Sequence, residues 1–498
     1  MAMAQFRVAT WNISNYSGGR DAALKTALYG EFEGRSLAPD ILLVQEFLSQ
    51  AATDAMLVIL NTAPGSPGDW AAAPFVNGPD TDSAFFYRTS RVDYLGMTIV
   101  AVGGAAPNHP RNIQRYDVRL VGYDAPEATI ACYSAHMKAG SASTDQARRL
   151  VEAQRIRDDA ETLPAGWNFL LGGDFNIQSS SQSAYVEMVG SQLNDAGRLF
   201  DPIATPGSWN NNGAFRMVHT QDPVGAGGMD DRHDQLLLSG SLVDGASMDY
   251  IGNPSIPYST TTWDDPNHSY RSWGNDGTSF DLTMKIADNT MVGPTIAQAL
   301  VTTANGAGHL PIVLNLRVPA RSGTDTEVLD FGQVAAGAVA ELPLAVFNDG
   351  DTALWNAEGI ADLNYTVGTT GDFSTTPGAF ADAAGGGSNE HFVAMDTSTP
   401  GIKAGTFVVS SDDPDQPVRV VTLVGEVVSL EIPGDFDGNQ QVDLGDYLHL
   451  ADCLAGPNQA PAPVLPGATA EACLAVFDFD DDDDVDLRDA GEFMKLMP

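Results

Sequence analysis

In the stretch "WNFLLGGDFN" an apolar run meets two glycines and then presents Asp174 and Asn176, two oxygen-bearing side chains one residue apart. Three other apolar runs lead to polar groups in the same way. "VATWNI" carries Asn12 near its end, "DILLVQEF" carries Glu46, and "TIACYSAHMK" carries His136. Two later runs reverse the order: Asp234 precedes the apolar residues of "RHDQLLLSG", and His309 precedes those of "GHLPIVLNL". If these last two strands run antiparallel to the others, their starts lie beside the others' ends. Three carboxylates, two amides and two imidazoles then share one rim. Such a set suits the attack of water on a phosphate ester. A hard cation such as Mg²⁺ takes oxygen ligands, keeps several waters and neutralises the non-bridging oxygens of the ester. An imidazole near neutrality gives or takes a proton, and a buried carboxylate beside it fixes its tautomer. Lys138 and one of Arg111 or Arg115 are the candidate phosphate clamps, the arginine through a bidentate fork.

The elements that must position these groups lie in residues 1–320. There, apolar runs of strand length alternate with helical stretches. The clearest helix is "DQARRLVEAQRIRDDAETL": Leu150, Val151, Ala153 and Ile156 fall near one face, charges fill the other, and the pattern stops before Pro164 and Gly166. Many strands with interspersed helices predict an α/β (α+β) domain with covered sheets. After "VPARSGTDTE" the texture changes. Residues 321–430 show short strands separated by Gly, Asp, Pro and Asn turns with almost no helical signal, which predicts a small β-sandwich. Residues 431–498 hold an internal repeat, "DFDGNQQVDLGDYLHL" from Asp435 and "DFDDDDDVDLRDAGEFM" from Asp478, joined by the Pro/Ala-rich "GPNQAPAPVLPGATA".

The net charge of −40 is uneven. Residues 1–320 carry 20 basic against 33 acidic side chains, and residues 321–498 carry 5 against 32. Such a surface repels nucleic acid and anionic membrane and suits divalent cations or a high-salt habitat, so a phosphate substrate needs a local cationic group or a metal. No apolar stretch reaches membrane-spanning length. The opening "MAMA" reads as a start that replaces a removed secretory leader, which places the chain outside the cell. Of three cysteines, Cys132 sits in an apolar run and reads as a small buried hydrophobe, while Cys453 and Cys473 lie in the acidic tail and are able to pair.

The ordered series "WN", "QE", "SAHMK", "GDFN", "RHDQLLLS" and "GHLP" resembles the endonuclease/exonuclease/phosphatase superfamily, which includes DNase I-like nucleases, sphingomyelinases and inositol phosphatases, over about residues 5–319. The resemblance implies a four-layer α/β/β/α sandwich. It implies that Glu46 is the principal metal carboxylate with Asn12 beside it, and that Asp174 and Asn176 orient the attacking water and hold the phosphate. His309 becomes the general base or a phosphate-contacting imidazole, Asp234 its orienting partner, and His136 a second catalytic imidazole. The family usually has an acidic residue before the final His. Here Gly308 stands there, which implies one metal rather than two, weaker activity, a stand-in such as Asp230 or Asp231, or a degenerate enzyme. His109, His219, His233 and His268 read as structural. "TQDPVGAGGMDDRHD" reads as a surface loop before it reads as a substrate rim, and "WDDPNHSYRSWGND" has aromatics and acids suited to contacting a ligand.

Both tail repeats have calcium-loop spacing. Asp435, Asp437, Asn439, Gln441, Asp443 and Asp446 fill positions 1, 3, 5, 7, 9 and 12 of the first, and Asp478, Asp480, Asp482, Asp484, Asp486 and Asp489 those of the second. The usual sixth-position Gly is replaced by Gln440 and Asp483. The pair resembles a type I dockerin. That resemblance implies Ca²⁺-linked folding, a Cys453–Cys473 disulfide in an oxidising compartment, and a cohesin-like or cell-surface partner. The middle segment resembles the immunoglobulin-like modules of bacterial extracellular proteins and reads as a spacer. The whole chain is therefore expected to be a secreted, monomeric phosphodiesterase using Mg²⁺ or Mn²⁺, most simply an endonuclease acting on DNA. The alternatives are a phosphomonoesterase or sphingomyelinase-like phospholipid diesterase, and a catalytically degenerate, calcium-dependent surface-adhesion protein.

Overall fold

The alternation of apolar runs in the first 320 residues builds two facing sheets with helices outside them. The computed structural model describes residues 5–225, 227–306, 308–429 and 432–498, so the opening "MAMA" lies outside the described residues. In chain order the strands are β1 (Phe6–Tyr16), β2 (Ile41–Phe47), β3 (Trp70–Ala72), β4 (Asp82–Arg88), β5 (Val92–Ala101), β6 (Ile113–Leu120), β7 (Thr129–His136), β8 (Asn168–Asp174), β9 (Leu199–Phe200), β10 (Asp234–Ser239), β11 (Asp249–Tyr250), β12 (Arg271–Ser272) and β13 (Ile312–Arg317). The helices are α1 (Asp21–Tyr29), α2 (Gln50–Thr62), α3 (Ser143–Ala160), α4 (Ser183–Val189) and α5 (Gly293–Thr303). One sheet has the order β11-β13-β1-β2-β4-β3, with β12 also on β13; the other has β5-β6-β7-β8-β10-β9.

Three apolar layers hold this arrangement. Phe6, Val8, Ile41 and Leu43 of the first sheet meet Val118, Ile130, Cys132, Leu170 and Leu236 of the second. The outer face of the first sheet buries Trp11, Leu42 and Val44 against Leu24, Met56, Ile296 and Leu300 of α1, α2 and α5. The outer face of the second buries Tyr133, Phe169 and Leu171 against Ala153, Ile156 and Tyr185 of α3 and α4. Period-2 side-chain alternation is what lets each strand feed two layers at once. The order helix, sheet, sheet, helix follows from it.

Strand direction settles where the polar residues meet. β1 and β2 are parallel, and so are β7 and β8. β13 runs antiparallel to β1, with Thr10 opposite Ile312, and β10 runs antiparallel to β8, with Asp234 opposite Asp174. The starts of β10 and β13 therefore lie beside the ends of β8 and β1, as the reversed order of polar and apolar residues requires. Gly173 lies beside Ala135 of β7, and at its φ of +152° a Cβ there would overlap the Ala135 carbonyl oxygen.

Beyond residue 320, β14 (Ser322–Thr324), β15 (Val328–Ala335), β16 (Glu341–Asn348), β17 (Leu363–Thr369), β18 (Phe373–Thr375), β19 (Ala379–Asp382), β20 (Asn389–Met395), β21 (Gly401–Ser411) and β22 (Val418–Val428) form two sheets around one core. A short helix, α6 (Thr352–Trp355), interrupts them. What reads in the sequence as a spacer is packed against the first domain. Trp355 is 1% exposed and enters the core between the two large sheets together with Ile360 and Ala384. Its ring meets Phe6 edge-on at 6.0 Å, and the Arg91 guanidinium lies 4.7 Å from its centroid. Asp415 accepts from the backbone N–H groups of Asp124 (2.9 Å) and Ala125 (2.7 Å).

The last segment contains α7 (Leu444–Cys453), α8 (Ala470–Phe477) and α9 (Leu487–Leu496) around a small core of Val442, Leu450, Phe477, Val485 and Phe493. A disulfide joins Cys453 to Cys473, and Cys132 is free and buried. Truncating Trp355 to Ala removes a fully buried aromatic shared by two domains. The expected loss is about 3–5 kcal/mol, read as a lowered denaturant midpoint of the first domain rather than of the middle segment alone.

Candidate active site

The end of β2 is bent. Its pairing with β1 and with β4 shifts register around Gln45 and Glu46, and Glu46 has a φ of +63°. Irregular strand ends of this kind re-aim a side chain, and a left-handed non-glycine residue is held there only when its surroundings insist on it. Below it, Gln45 Nε2 donates to Thr10 Oγ1 (3.2 Å) and Ser134 Oγ (3.1 Å), a buried polar link between the two sheets. Asn176, at φ +52°, makes the equivalent turn after β8; its backbone N–H donates to Asp174 Oδ1 (3.0 Å) and its amide to the Met137 carbonyl (3.2 Å).

Asn12, Glu46, His136, Asp174, Asp234 and His309 come together. Asn12 is wholly buried and its Nδ2 lies 3.0 Å from Glu46 Oε1, 3.1 Å from Asp174 Oδ2 and 3.4 Å from His309 Nε2. His136 Nε2 lies 3.3 Å from Asp174 Oδ2, and its Nδ1 lies 3.8 Å from Glu46 Oε1. His309 Nδ1 is 2.7 Å from Asp234 Oδ2, which also accepts from Thr220 Oγ1 at 2.7 Å.

These groups set one another's charge. Burial lowers His136 to about 4, with Arg111 in the same sense and Asp174 and Glu46 opposing, so it is neutral at ordinary pH. Burial also disfavours a charged His309, but Asp234 and Asp174 outweigh it and lift the imidazole to about 10. Burial pushes Asp234 up as well, while the charge of His309 and its hydrogen bond draw the carboxyl down. Burial opposes an ionised Asp174, yet the charges of the surrounding histidines, His309 foremost, hold it at about 2. Because His136 is neutral, His309 is the lasting cation beside Asp174.

The donor set fits a hard divalent cation. Glu46 has no lysine or arginine partner among the described residues, and its oxygens meet only amide groups and His136. Among the described residues, clusters of three carboxylates tight enough to share an ion lie in the C-terminal segment instead. One or two carboxylates are sufficient where substrate and water complete the shell.

Not every candidate reaches the rim. Arg115 is corrected: alternation along β6 turns it to the outer, helix-facing side, where it pairs with Asp117 (2.9 Å) and Asp159 (2.6 Å). Lys138 also points away, to Asp145 at 3.0 Å. Arg111 lies behind the His136 turn; it donates to Thr81 Oγ1 (3.0 Å) and pairs with Asp80 (3.3 Å). Asp231 accepts from Asn210 at 2.7 Å, and burial raises Asp230 with Asp231 adding to it. Asp222 is 8% exposed, its Oδ1 has no hydrogen-bond partner, and it is pushed to about 7 by burial, with His309 opposing. Gly308 itself admits no side chain readily: at φ +61° a Cβ would strike the Ala304 backbone.

The loop read as surface lies beside these groups: Gln221 Nε2 is 3.5 Å from His309 Nε2, and Gln221 Oε1 meets the Nδ1 of His233. His219 and His268 do remain in structural roles, bonded to backbone carbonyls. Arg232 anchors the approach to β10. It is fully buried, forks onto Asp201 at 2.8 and 2.9 Å, and lies over the ring of Trp209.

Burial would raise Asp201, but Arg232 outweighs it and holds the carboxyl below its ordinary value. Its contribution is therefore complete above an unfolded-state pKa of about 3.9 and is lost as pH falls through the lower folded value. Asp201→Asn leaves a buried guanidinium unpaired and is expected to cost about 3–5 kcal/mol at neutral pH. In urea titrations the gap to the parent should narrow as the pH is lowered below 4.

The sequence profile of the Endonuclease/Exonuclease/phosphatase family matches residues 9–288, which includes every site residue above except Gly308 and His309. No curated protein matches the chain. Similar solved structures include D. rerio TDP2 complexed with single strand DNA product (13% identity, 63% of this chain and 99% of that one, TM-score 0.36). The human Nocturnin catalytic domain with bound sulfate anion is also similar (15%, 63% and 94%, 0.34). So is an endonuclease/exonuclease/phosphatase from Beutenbergia cavernae DSM 12333 (13%, 84% and 99%, 0.33). At these identities and scores the likenesses assign no residue and no substrate.

Proposed function

The chain belongs to the endonuclease/exonuclease/phosphatase family, and on that premise we propose that it is a secreted, metal-dependent phosphodiesterase whose first substrate class is DNA. Members of the family are phosphoric ester hydrolases. The observation that carries the reading is the meeting of Glu46, Asn12, Asp174, His136 and the Asp234–His309 pair within a few ångströms.

Glu46 and Asn12 would hold Mg²⁺ or Mn²⁺, which when bound neutralises the phosphate oxygens and orients the ester. Asp174, ionised above about pH 2, accepts a hydrogen bond from the attacking water and aims it. His309 carries its proton at neutral pH and so serves as a charged donor to a phosphate oxygen rather than as a base. Asp234 keeps that proton on the ring and fixes its orientation. His136, neutral and unpartnered at Nδ1, is the group free to accept or relay a proton. Asn176 retains one N–H for the phosphate beyond the one given to Met137.

One observation favours a second substrate reading. Lys138 and Arg115 are both spent on internal carboxylates, so the rim offers few cations to a long polyanion. A small phosphodiester or phospholipid headgroup needs fewer.

We also read residues 432–498 as a dockerin-like, calcium-binding module with a cohesin-like or cell-surface partner, and residues 321–430 as an immunoglobulin-like one. The carboxylates of Asp435, Asp437 and Asp446 lie within 4.8 Å of one another, as do those of Asp478, Asp480 and Asp489. Asp446 and Asp489 also cap α7 and α9, so each loop and its helix form one unit. Gln440 and Asp483 adopt φ of +69° and +64°, the conformation for which calcium loops use glycine. The disulfide supports an oxidising compartment.

Two tests follow from these readings. Supercoiled plasmid should be nicked with Mg²⁺ or Mn²⁺ and not with EDTA. Glu46→Ala and His309→Ala should each lower the rate by about 10²-fold or more. Turnover of sphingomyelin, a small phosphodiester or inositol phosphates without nicking selects the second reading, and no turnover at all leaves the degenerate one. Separately, Ca²⁺ added to EDTA-treated protein should raise the melting temperature of the C-terminal transition, and Asp446→Ala with Asp489→Ala should abolish the rise.

A further inference from the structure

The segment "WDDPNHSYRSWGND" does not reach the rim. It follows the edge of the first sheet, where Arg271 and Ser272 pair with Val313 and Ile312, and it walls a cavity of about 310 Å³. Arg7 of β1 and Asn315 of β13 stand opposite each other and line this cavity. Arg7 precedes Asn12 by five residues and alternates to the opposite face of the sheet, the face that carries Ala9 and Trp11, so its guanidinium group stands apart from the candidate active site. The two sites are separate.

The lining is made of donors. Arg7 is rigid: its Nε donates to Asn315 Oδ1 (2.9 Å) and its Nη1 to the Ser36 and Leu37 carbonyls (2.8 and 3.0 Å). Its Nη2 has no acceptor among the described residues. Arg35 is packed between Phe32 and Trp263, with its carbon Cζ 5.6 and 5.1 Å from the two ring centroids. Its Nε and Nη2 are engaged by Met291, Thr290 and Glu33, and its Nη1 has no acceptor among the described residues. Trp273 is 5% exposed, and its indole N–H is buried without a hydrogen-bond partner.

Charge selects the acceptor. Three guanidinium groups, those of Arg7, Arg35 and Arg271, line the cavity; Asp264 pairs with Arg271 and Glu33 with Arg35, which leaves one positive charge in excess. Asp264 is 69% exposed at the edge and is bonded to Arg271. In a chain with a net charge of −40, this is a local positive site. We propose that the cavity binds a phosphate-type oxyanion, held by the free N–H groups of Arg7 and Arg35, with room for the alcohol part of a phosphomonoester. Guanidinium N–H groups donate and cannot accept, which disfavours cations and favours an anion carrying several oxygens.

Titration calorimetry of the full chain in EDTA, with inorganic phosphate and separately with glycerol phosphate, tests this at an ionic strength held constant with NaCl. The expected result is one saturable site, retained in His309→Ala and weakened about tenfold or more in Arg35→Gln and in Arg7→Lys, each lacking a free guanidinium donor. Because Arg35 also packs between Phe32 and Trp263, the melting temperature of each variant is recorded, and Arg35→Lys, which keeps the charge and the stem but lacks the fork, is measured beside it. Tighter binding of glycerol phosphate assigns the site to a phosphate group on a larger ligand. Equal binding assigns it to the free ion. Absence of saturation, equal affinity in Arg35→Gln, Arg7→Lys and the parent, or loss of binding in His309→Ala would overturn the proposal.

Discussion

Charge confined in a nearly dry space must be balanced close by, and the candidate active site is organised around that requirement. Asp174 and Asp234 are almost wholly buried, and Glu46 adds a third carboxylate at the same rim. His309 is the one imidazole that answers them with a positive charge at neutral pH, since His136 is neutral. Three negative groups against one positive leave an excess within this cluster. A divalent ion has the charge to cancel it. The same excess explains why His309 is driven so far up, and why Asp174 keeps its charge despite burial.

The sheets provide the stiffness that such crowding needs. Like charges repel unless their backbones are held, and here Glu46 and Asp174 lie at the ends and Asp234 at the start of strands inside the sheets, with His309 three residues ahead of β13. The buried link from Thr10 through Gln45 to Ser134 joins the two sheets just beneath the rim. Arg232 and Asp201 form a second buried ion pair that fixes the entry to β10, so the short contact between Asp234 and His309 rests on backbone that has little freedom to move.

Much of this was legible in the amino-acid order because strand direction leaves a trace in it. A polar residue after an apolar run and one before it mark opposite ends of strands, and that asymmetry alone brought Asn12, Glu46, His136, Asp174, Asp234 and His309 to one rim. Alternation within a strand was equally available for Arg115, since Gln114 and Tyr116 point inward on β6 and their neighbour must point out. Other contributions left no such trace. Thr220, Gln221 and Asp222 come from a stretch without periodicity, and only the fold shows that the Thr220 carbonyl bonds to the Leu310 N–H and lays the stretch beside His309. The arginine-lined cavity is assembled from segments more than two hundred residues apart, and no local pattern announces it.

The placement of Trp355 bears on how such chains are put together over time. Composition changes sharply near residue 320, as though the parts were beads on a string that recombination is free to exchange. An indole threaded into its neighbour's interior makes that joint unlike a linker. A first domain cut at the compositional seam would be left with a greasy notch open to water beside Phe6, inviting self-association. These two parts are therefore expected to be inherited together, while the acidic C-terminal repeat, with its own core and disulfide, has the attributes of a piece able to travel alone.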